Sequence, residues 1–239
     1  MFFNLPAAAI LAVYVAAAVL PAFFLLRYIY KMDRTEREPR GLLLKLVLLG
    51  IPAALVAGVV ETVAQPLLGL VARPGTARYI FVLAFLGVAV VEEGAKLFFL
   101  RRSTWLEPNF NYRFDGVVYA VCISLGFAAF ENVGYVFNYG LSVALPRALL
   151  AVPGHMGFAV FMGVFYGRAK VCESWGDMAG KGRNLWVGYL LAVLLHGFYD
   201  FCAMLGTTAA TVVFLAFVGV MYVIVYRRVR REAESDERI

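Results

Sequence analysis

Residues 87–100, with the sequence GVAVVEEGAKLFFL, place two adjacent glutamates and a lysine inside an otherwise apolar run. Each ionisable group at the centre of a membrane span costs about 2.5–3.5 kcal/mol on insertion scales, so three charges here need a reason. Glu92 and Glu93 stand four and three residues before Lys96, spacings that bring side chains together on a helix. One interpretation is that these three charges form salt bridges that only fix the packing of helices. One lysine neutralises one glutamate, so we expect the other carboxylate to find a partner elsewhere.

The whole chain is as apolar as this stretch. Of its 239 residues, 62% are hydrophobic and 16% are charged, and the mean hydropathy is +0.78. A soluble core of ordinary shape cannot bury this much apolar surface, so the sequence predicts an all-α, polytopic membrane bundle forming one domain over residues 1–239. We predict about seven transmembrane helices, followed by a cytoplasmic tail at 227–239. The predicted spans are 5–30, 42–70, 78–100, 115–139, 153–170, 185–205 and 207–226.

Basic residues predict how these spans are oriented. Most lysines and arginines fall in connections on one side of the predicted bundle, and only Arg73, Arg78 and Arg147 fall on the other. The positive-inside rule then places the N-terminus outside and the C-terminus in the cytoplasm. A net charge of +6 would suggest nucleic-acid binding in a soluble protein. In this apolar chain the positive charge reflects membrane topology, so we expect no nucleic-acid partner. We also expect the protein to lie in the plasma membrane. The start of the chain lacks a basic region, and we expect the first span to be retained.

Ionisable residues recur in the three predicted spans that follow the one with the opening stretch. The chain has two histidines, and both His155 and His196 fall in apolar spans, as do Glu131 and Asp200. Ionisable groups within the membrane are functional candidates by default. Counted from the cytoplasmic ends, these four residues lie at similar depths, about 17–24 Å, at 1.5 Å rise per residue. We therefore predict a shared site in the outer half of the membrane.

The two glutamates of the opening stretch join this site only if the third helix is longer than its apolar part. Measured from Leu100, they lie about 10–12 Å deep. A helix that continues through Arg101 and Arg102 toward Trp105 raises them to about 18–20 Å. We expect this extension.

Spacing within single helices indicates further members of the site. Phe127 and Glu131 are four residues apart, as are His196 and Asp200. Asp200 can therefore hold the imidazole of His196 and select its tautomer. Asn132 is expected either to hydrogen-bond within the site or to bridge two helices. The sequence leaves that choice open.

Two further features concern the packing around the site. Gly163 and Gly167 form a GxxxG pattern, which predicts a close approach between the fourth and fifth spans. Glu61, in the second span, is an additional polar candidate. Residues 141–150 are expected to form a short outer segment, and residues 171–184 a polar loop.

Four motifs together resemble those of the PrsW family of intramembrane proteases, within the wider group that includes the CAAX prenyl proteases. Glu92-Glu93-x-x-Lys96 is similar to the paired-glutamate motif of the family, and Phe130-Glu131-Asn132 is similar to its second motif. The residues around His155 resemble the third motif of the family, and His196-x-x-x-Asp200 resembles its fourth motif. The CAAX relatives have FxxxH as their second motif, where this chain has Phe127 and Glu131, so prenyl-protein processing is not expected. The resemblance implies cleavage of a membrane-anchored protein, such as a single-pass anti-sigma factor, near its extracytoplasmic side.

Peptide hydrolysis needs an activated water and donors for the developing oxyanion, and two mechanisms satisfy this requirement. In a glutamic mechanism, Glu92 or Glu93 is the base, Lys96 holds the other carboxylate, and His196 with Asp200 stabilises the oxyanion. In a metal mechanism, Zn²⁺ is held by Glu131, His155 and His196, and the same glutamates supply the base. The glutamic version needs no cofactor. The metal version is slightly favoured, because its three ligands lie at one depth.

Two other functional classes use similar residues. In a transporter or proton channel, the carboxylates and histidines would form a relay, but the chain shows neither an inverted repeat nor paired broken spans. In a seven-span pigment, the last span would carry a lysine for a Schiff base, and it has none. The sequence therefore favours a protease.

Overall fold

The computed structural model describes residues 6–239, which form a bundle of seven helices. Six of the seven are long and apolar enough to cross a membrane. The predicted all-α, polytopic membrane bundle is therefore confirmed. We number the helices in chain order: α1 Ala7–Met32, α2 Arg40–Val71, α3 77–104, α4 Asp115–Tyr139, α5 Leu141–Ser174, α6 Met178–Met204 and α7 Thr208–Glu234.

Helix α3 carries the charged motif and contains a π-helical segment. It is α-helical over Ala77–Val82, π-helical over Leu83–Ala89 and α-helical again over Val90–Thr104. Its 28 residues span about 42 Å at 1.5 Å per residue, which is sufficient to cross a bilayer. The helix runs past Arg102, so the expected extension is confirmed.

Two connections predicted around α5 are shorter than expected. Residues 141–151 are not a separate outer segment, since they are helical and lead directly into Val152–Ser174. The predicted polar loop at 171–184 is also wrong, because only residues 175–177 separate α5 from α6. Gly176 takes a positive φ of 77°, and the Asp177 carboxylate accepts the Gly180 N–H at 2.8 Å and caps α6. Polar residues beside this tight turn remain helical.

The C-terminal region is also more ordered than a simple tail. Helix α7 continues to Glu234, supported by an ion pair of 3.0 Å between Arg228 and Glu232. The last residues then pair with the connection that precedes α4, where Ile239 N donates to Asn111 O at 2.7 Å. At the other end of the chain, residue 5 of the first predicted span lies outside the described residues.

Helix α4 is the core of the bundle, and α1, α2 and α5 pack around it. Its contact with α5 depends on glycines, as the GxxxG pattern predicted. A Cβ on Gly163 would lie 2.6 Å from Gly116 O, and a Cβ on Gly167 would lie 2.2 Å from Arg113 O. Larger residues would force the helices apart. This close packing holds the residues of α4 and α5 that face α3 at short distances from it.

Candidate functional site

Lys96 is the centre of a buried polar cluster in which α3 meets α5. Its Nζ donates to Glu92 Oε2 at 3.0 Å, to Glu93 Oε1 at 2.8 Å and to His155 Nδ1 at 3.1 Å. An ammonium group has three N–H donors, and all three are used. Lys96 contacts both glutamates, and Glu93 also has the expected partner elsewhere in the bundle, because its Oε1 lies 2.9 Å from His196 Nδ1.

The contacts of His155 determine its tautomer. Lysine offers only donors, so His155 Nδ1 must accept, and the ring proton resides on Nε2. That nitrogen lies 3.2 Å from Glu131 Oε2 and donates to it. Glu131 therefore orients His155 and directs the lone pair of Nδ1 toward the glutamates of α3.

His196 of α6 lies between two carboxylates. Its Nδ1 lies 2.9 Å from Glu93 Oε1, and its Nε2 lies 3.4 Å from Asp200 Oδ2, as the spacing of four residues predicted. The ring of Phe158 stacks on the imidazole with a centroid distance of 4.8 Å and an interplanar angle of 17°. His196 is thus fixed by both of its ring nitrogens and by one of its faces.

Arg147 belongs to this cluster, although the sequence analysis treated it only as a marker of topology. Its Nη2 donates to Glu131 Oε2 at 2.8 Å, its Nε donates to Asn132 Oδ1 at 2.7 Å, and its guanidinium lies 3.7 Å from the centroid of the Tyr135 ring. Arg147 opens the π-helical segment that precedes Val152. The one available signal was a basic residue a few positions before His155 in an otherwise apolar stretch.

Asn132 and Phe127 support the site from α4. The Asn132 amide donates to Ala18 O of α1 at 2.8 Å, while its oxygen accepts from Arg147. It therefore bridges helices and also anchors a residue of the site. The Phe127 ring lies with its centroid 4.1 Å from Lys96 Nζ, a cation–π contact that shields the ammonium.

A cavity of about 490 Å³ opens onto this cluster. Its wall includes Glu92, whereas Glu93 is fully buried behind it. Glu61 and Gln65 of α2 also face the cavity. The remaining lining residues come from the first half of α3, the end of α4, the start of α5, the end of α6 and the start of α7, so the cavity lies toward the side of the membrane predicted to be extracytoplasmic. The six candidate catalytic residues of the sequence analysis are brought together here: Glu92, Glu93, Glu131, His155, His196 and Asp200.

Four of these residues could hold a metal ion. Glu92, Glu93, His155 and His196 each offer one ligand atom, and the four atoms lie within 4.8 Å of one another. Glu131, one of the three ligands expected from the sequence, instead holds the far nitrogen of His155. Histidine nitrogen and carboxylate oxygen are ligands that Zn²⁺ accepts.

The electrostatics of the cluster also suit a bound cation. Glu93 Oε2 is buried and has no hydrogen-bond partner among the described residues. Four carboxylates, Glu92, Glu93, Glu131 and Asp200, outnumber the fixed cations Lys96 and Arg147, and a positive charge on His196, whose two ring nitrogens both face carboxylates, would still leave an excess of one negative charge. The residues present therefore fit a divalent metal ion, although such an ion would compete with Lys96 for three of its four ligands.

Comparison with known proteins identifies a family. The model of a family described as PrsW family intramembrane metalloprotease matches residues 38–226. Protease PrsW of Oceanobacillus iheyensis is 31% identical over 92% of this chain and 96% of its own length. Protease PrsW of Geobacillus kaustophilus is 36% identical over 78% of this chain and 77% of its own length, and that of Bacillus subtilis is 32% identical over 78% and 81%. No solved structure matches the chain.

Proposed function

The chain belongs to the PrsW family of intramembrane proteases, and from this premise we propose that it hydrolyses a peptide bond of a membrane-anchored protein near the extracytoplasmic side. The observation that carries the proposal is the cavity, which brings Glu92, His155 and His196 to one wall within the bundle. A single-pass protein, such as an anti-sigma factor, is the substrate class we propose. One transmembrane segment can reach a site inside the bundle from the lipid, and its outer end would lie at the depth of the cavity.

Glu92 is the base in this proposal. It faces the cavity, where substrate and water enter, and one of its oxygens is held by Lys96 at 3.0 Å. A positioned carboxylate can take a proton from water as that water attacks the peptide carbonyl. Glu93 is fully buried and holds both Lys96 and His196, so its role is to position these two groups.

His196 is the group we assign to the developing oxyanion. It lines the cavity together with Asp200; Glu93 holds its Nδ1 at 2.9 Å, and its Nε2–H, at the longer distance of 3.4 Å from Asp200, is the donor that would turn to the oxyanion. Hydrogen-bond donors that are already oriented stabilise the charge that develops in acyl transfer without reorganising during the reaction. His155 is positioned by Glu131 and faces the same space.

The description of the family as metalloproteases makes Zn²⁺ the candidate cofactor. Glu92, Glu93, His155 and His196 offer ligand atoms for it, and with Glu92 kept as the base, Glu93, His155 and His196 would hold the ion. When bound, the metal lowers the pKa of water and polarises the substrate carbonyl. Lys96 would then move aside, since its ammonium contacts three of the four ligand residues.

The proposal is tested with purified protein in detergent and a single-pass test substrate with labelled ends. We expect cleavage within the outer third of the substrate's membrane segment, mapped by mass spectrometry of both fragments. His196→Ala should reduce kcat by about 100- to 1,000-fold, the usual effect of losing one oxyanion donor. An intact substrate, together with proton or solute transport by the same protein in liposomes, would contradict the assignment.

A second arm of the experiment addresses the metal. The protein is treated with a chelator, analysed for metal content and assayed again after addition of Zn²⁺. Loss and recovery of cleavage in step with bound zinc would support the metal mechanism. Full activity in a preparation that elemental analysis finds free of metal would support the glutamic mechanism instead.

A further inference from the structure

An open groove of about 440 Å³ lies between α3 and α6, beyond the end of the charged cluster. Gly94 and Leu97 of α3 form one side, and Trp186 and Tyr189 of α6 form the other. The Tyr189 hydroxyl donates to Val90 O at 2.9 Å and joins the two helices at the end nearer the catalytic cluster. The groove therefore follows the junction of the two helices that carry Glu92 and His196.

The other end of the groove is basic. Arg101 and Lys181 line it, and Arg101 also lines an adjoining cavity of about 750 Å³ that includes Arg102. Within residues 6–239, neither Arg101 nor Arg102 has a carboxylate oxygen within 4.0 Å. These two guanidinium groups are exposed, and their charge is not balanced by an ion pair within the described chain.

The acidic residues nearby are already engaged. Glu173 pairs with Lys181 and with Lys170, and it accepts from the Trp105 indole at 3.1 Å. Glu107 accepts from the Asn109 amide at 2.7 Å. The region therefore carries a net positive charge.

Aromatic side chains mark this end of the groove as membrane-facing. Trp186 is 61% exposed and Phe98 is 63% exposed, although both are apolar. Tryptophan is enriched where membrane proteins meet the headgroup region, and basic pockets between transmembrane helices bind anionic lipid headgroups. An apolar channel with a cationic end matches a molecule that has an acyl chain and a phosphate.

We propose that this groove is a binding site for an anionic phospholipid of the bilayer. The phosphate lies at Arg101 and Arg102, and an acyl chain follows the surface of Leu97 and Trp186 between the helices. A lipid bound in this way contacts α3 and α6 together. Its binding therefore stabilises the packing that brings Glu92 and His196 to one cavity.

The test uses the full-length protein, purified in detergent and stripped of lipid. Phosphatidylglycerol or phosphatidylcholine is added at equal concentration, and thermal unfolding and native mass spectrometry are recorded. We expect phosphatidylglycerol to raise the Tm by about 2–4 °C more than phosphatidylcholine and to remain bound in the spectrum. The variant Arg101→Gln/Arg102→Gln should lose this difference. Arg227→Gln/Arg231→Gln removes two exposed arginines of α7 that are also outside any ion pair in residues 6–239, and it should retain the difference.

Two outcomes would overturn the proposal. One is an equal response to the two lipids in the wild-type protein. The other is an Arg101→Gln/Arg102→Gln variant that keeps both the Tm difference and the bound phosphatidylglycerol. A photo-crosslinking residue in place of Trp186, which lines the groove, separates the occupants. Crosslinks to phospholipid support the proposal, whereas crosslinks formed with a membrane-protein substrate alone would make the groove a substrate-docking site and contradict it.

Discussion

At the scale of single residues, Lys96 offsets part of the negative charge of the site. Its three N–H groups meet Glu92, Glu93 and His155, and its side chain is almost fully buried. Breaking a buried ion pair by removing one partner is strongly destabilising, because the remaining charge stays buried without compensation. The lysine therefore supports the fold and the arrangement of the candidate site together.

We predict that Lys96→Met lowers the free energy of unfolding by about 3–5 kcal/mol, because two glutamates then share a buried region without their cation. Thermal unfolding in detergent measures the effect. Lys45→Met is the matched control, since Lys45 is exposed on α2 and outside any ion pair in residues 6–239, and it should unfold like the wild type. A Lys96→Met protein as stable as this control would show that the charges are balanced in another way.

Arg147 is predicted to act through Glu131 on His155. Arg147→Gln removes the ion pair of 2.8 Å, so Glu131 no longer holds the Nε2 proton firmly. We expect kcat to fall by about 10- to 100-fold, the usual effect of losing a residue that orients a ligand, with partial recovery in Arg147→Lys.

The two histidines of the chain make a spectroscopic test of this role practicable. With ¹⁵N-labelled histidine, the wild type should show one ring as the Nε2–H tautomer, assigned to His155 by its persistence in His196→Gln. In Arg147→Gln, that signature should become a mixture of tautomers. An unchanged spectrum with reduced activity would assign Arg147 a role in packing alone.

At the scale of elements, the connection between α1 and α2 is an unexpected acidic feature. Asp33 and Glu38 are 1% and 3% exposed, and Glu38 N donates to Asp33 Oδ2 at 3.1 Å. Burial raises the pKa of the Asp33 carboxyl to about 6 and that of the Glu38 carboxyl to about 7. Both values exceed those of unfolded chains, about 4.

These raised pKa values predict a pH dependence of stability. The folded protein holds more protons than the unfolded chain between about pH 4 and pH 7, so the contribution of this connection to stability falls as pH rises through that window. Asp33→Asn/Glu38→Gln should flatten the dependence of Tm on pH, whereas Glu234→Gln, on an exposed residue, should not. If the double variant and the wild type keep parallel profiles from pH 5 to pH 8, the two carboxyls are not protonated in the folded state.

Helix α3 shows what local sequence could and could not predict at this scale. A helix that passes Arg102 was expected from the depth of the two glutamates, and the structure has one. The π-helical segment at Leu83–Ala89 had no signal in the composition, because the residues are ordinary apolar ones. Segments of this kind occur often at functional sites, and this one directly precedes the part of α3 that carries the two glutamates.

At the scale of the whole molecule, the hydropathy and charge of the sequence were sufficient to predict the architecture. The number of helices followed from apolar runs, and the shared site followed from ionisable residues at similar depth. The orientation of the termini remains a prediction. Arg147 is one of the few arginines predicted to lie on the outer side of the membrane. It pairs with Glu131 in the site, so this residue is a weak marker of topology.

The candidate metal ligands of the site could not be predicted, because they depend on how each helix is rotated about its axis. The depth of a residue in the membrane does not define that rotation. The predicted depth in the membrane placed Glu131 at the same level as the two histidines. Packing of α4 against α5 turned Glu131 toward the far nitrogen of His155, and packing of α3 brought ligand atoms of Glu92 and Glu93 within 4.8 Å of those of both histidines. Arg147 was missed for a similar reason, since its partners lie on α4, and a single sequence does not show which helices are in contact.

The central claim is that Glu92, from the wall of the cavity, activates the water that cleaves a membrane-anchored substrate. The most direct measurement is single-turnover cleavage of a single-pass substrate by purified Glu92→Gln, with thermal unfolding showing that the variant is folded. The account predicts a rate reduced by about 100- to 10,000-fold, the usual contribution of a general base. A folded Glu92→Gln protein that cleaves within about tenfold of the wild-type rate would fall outside that range and contradict the account.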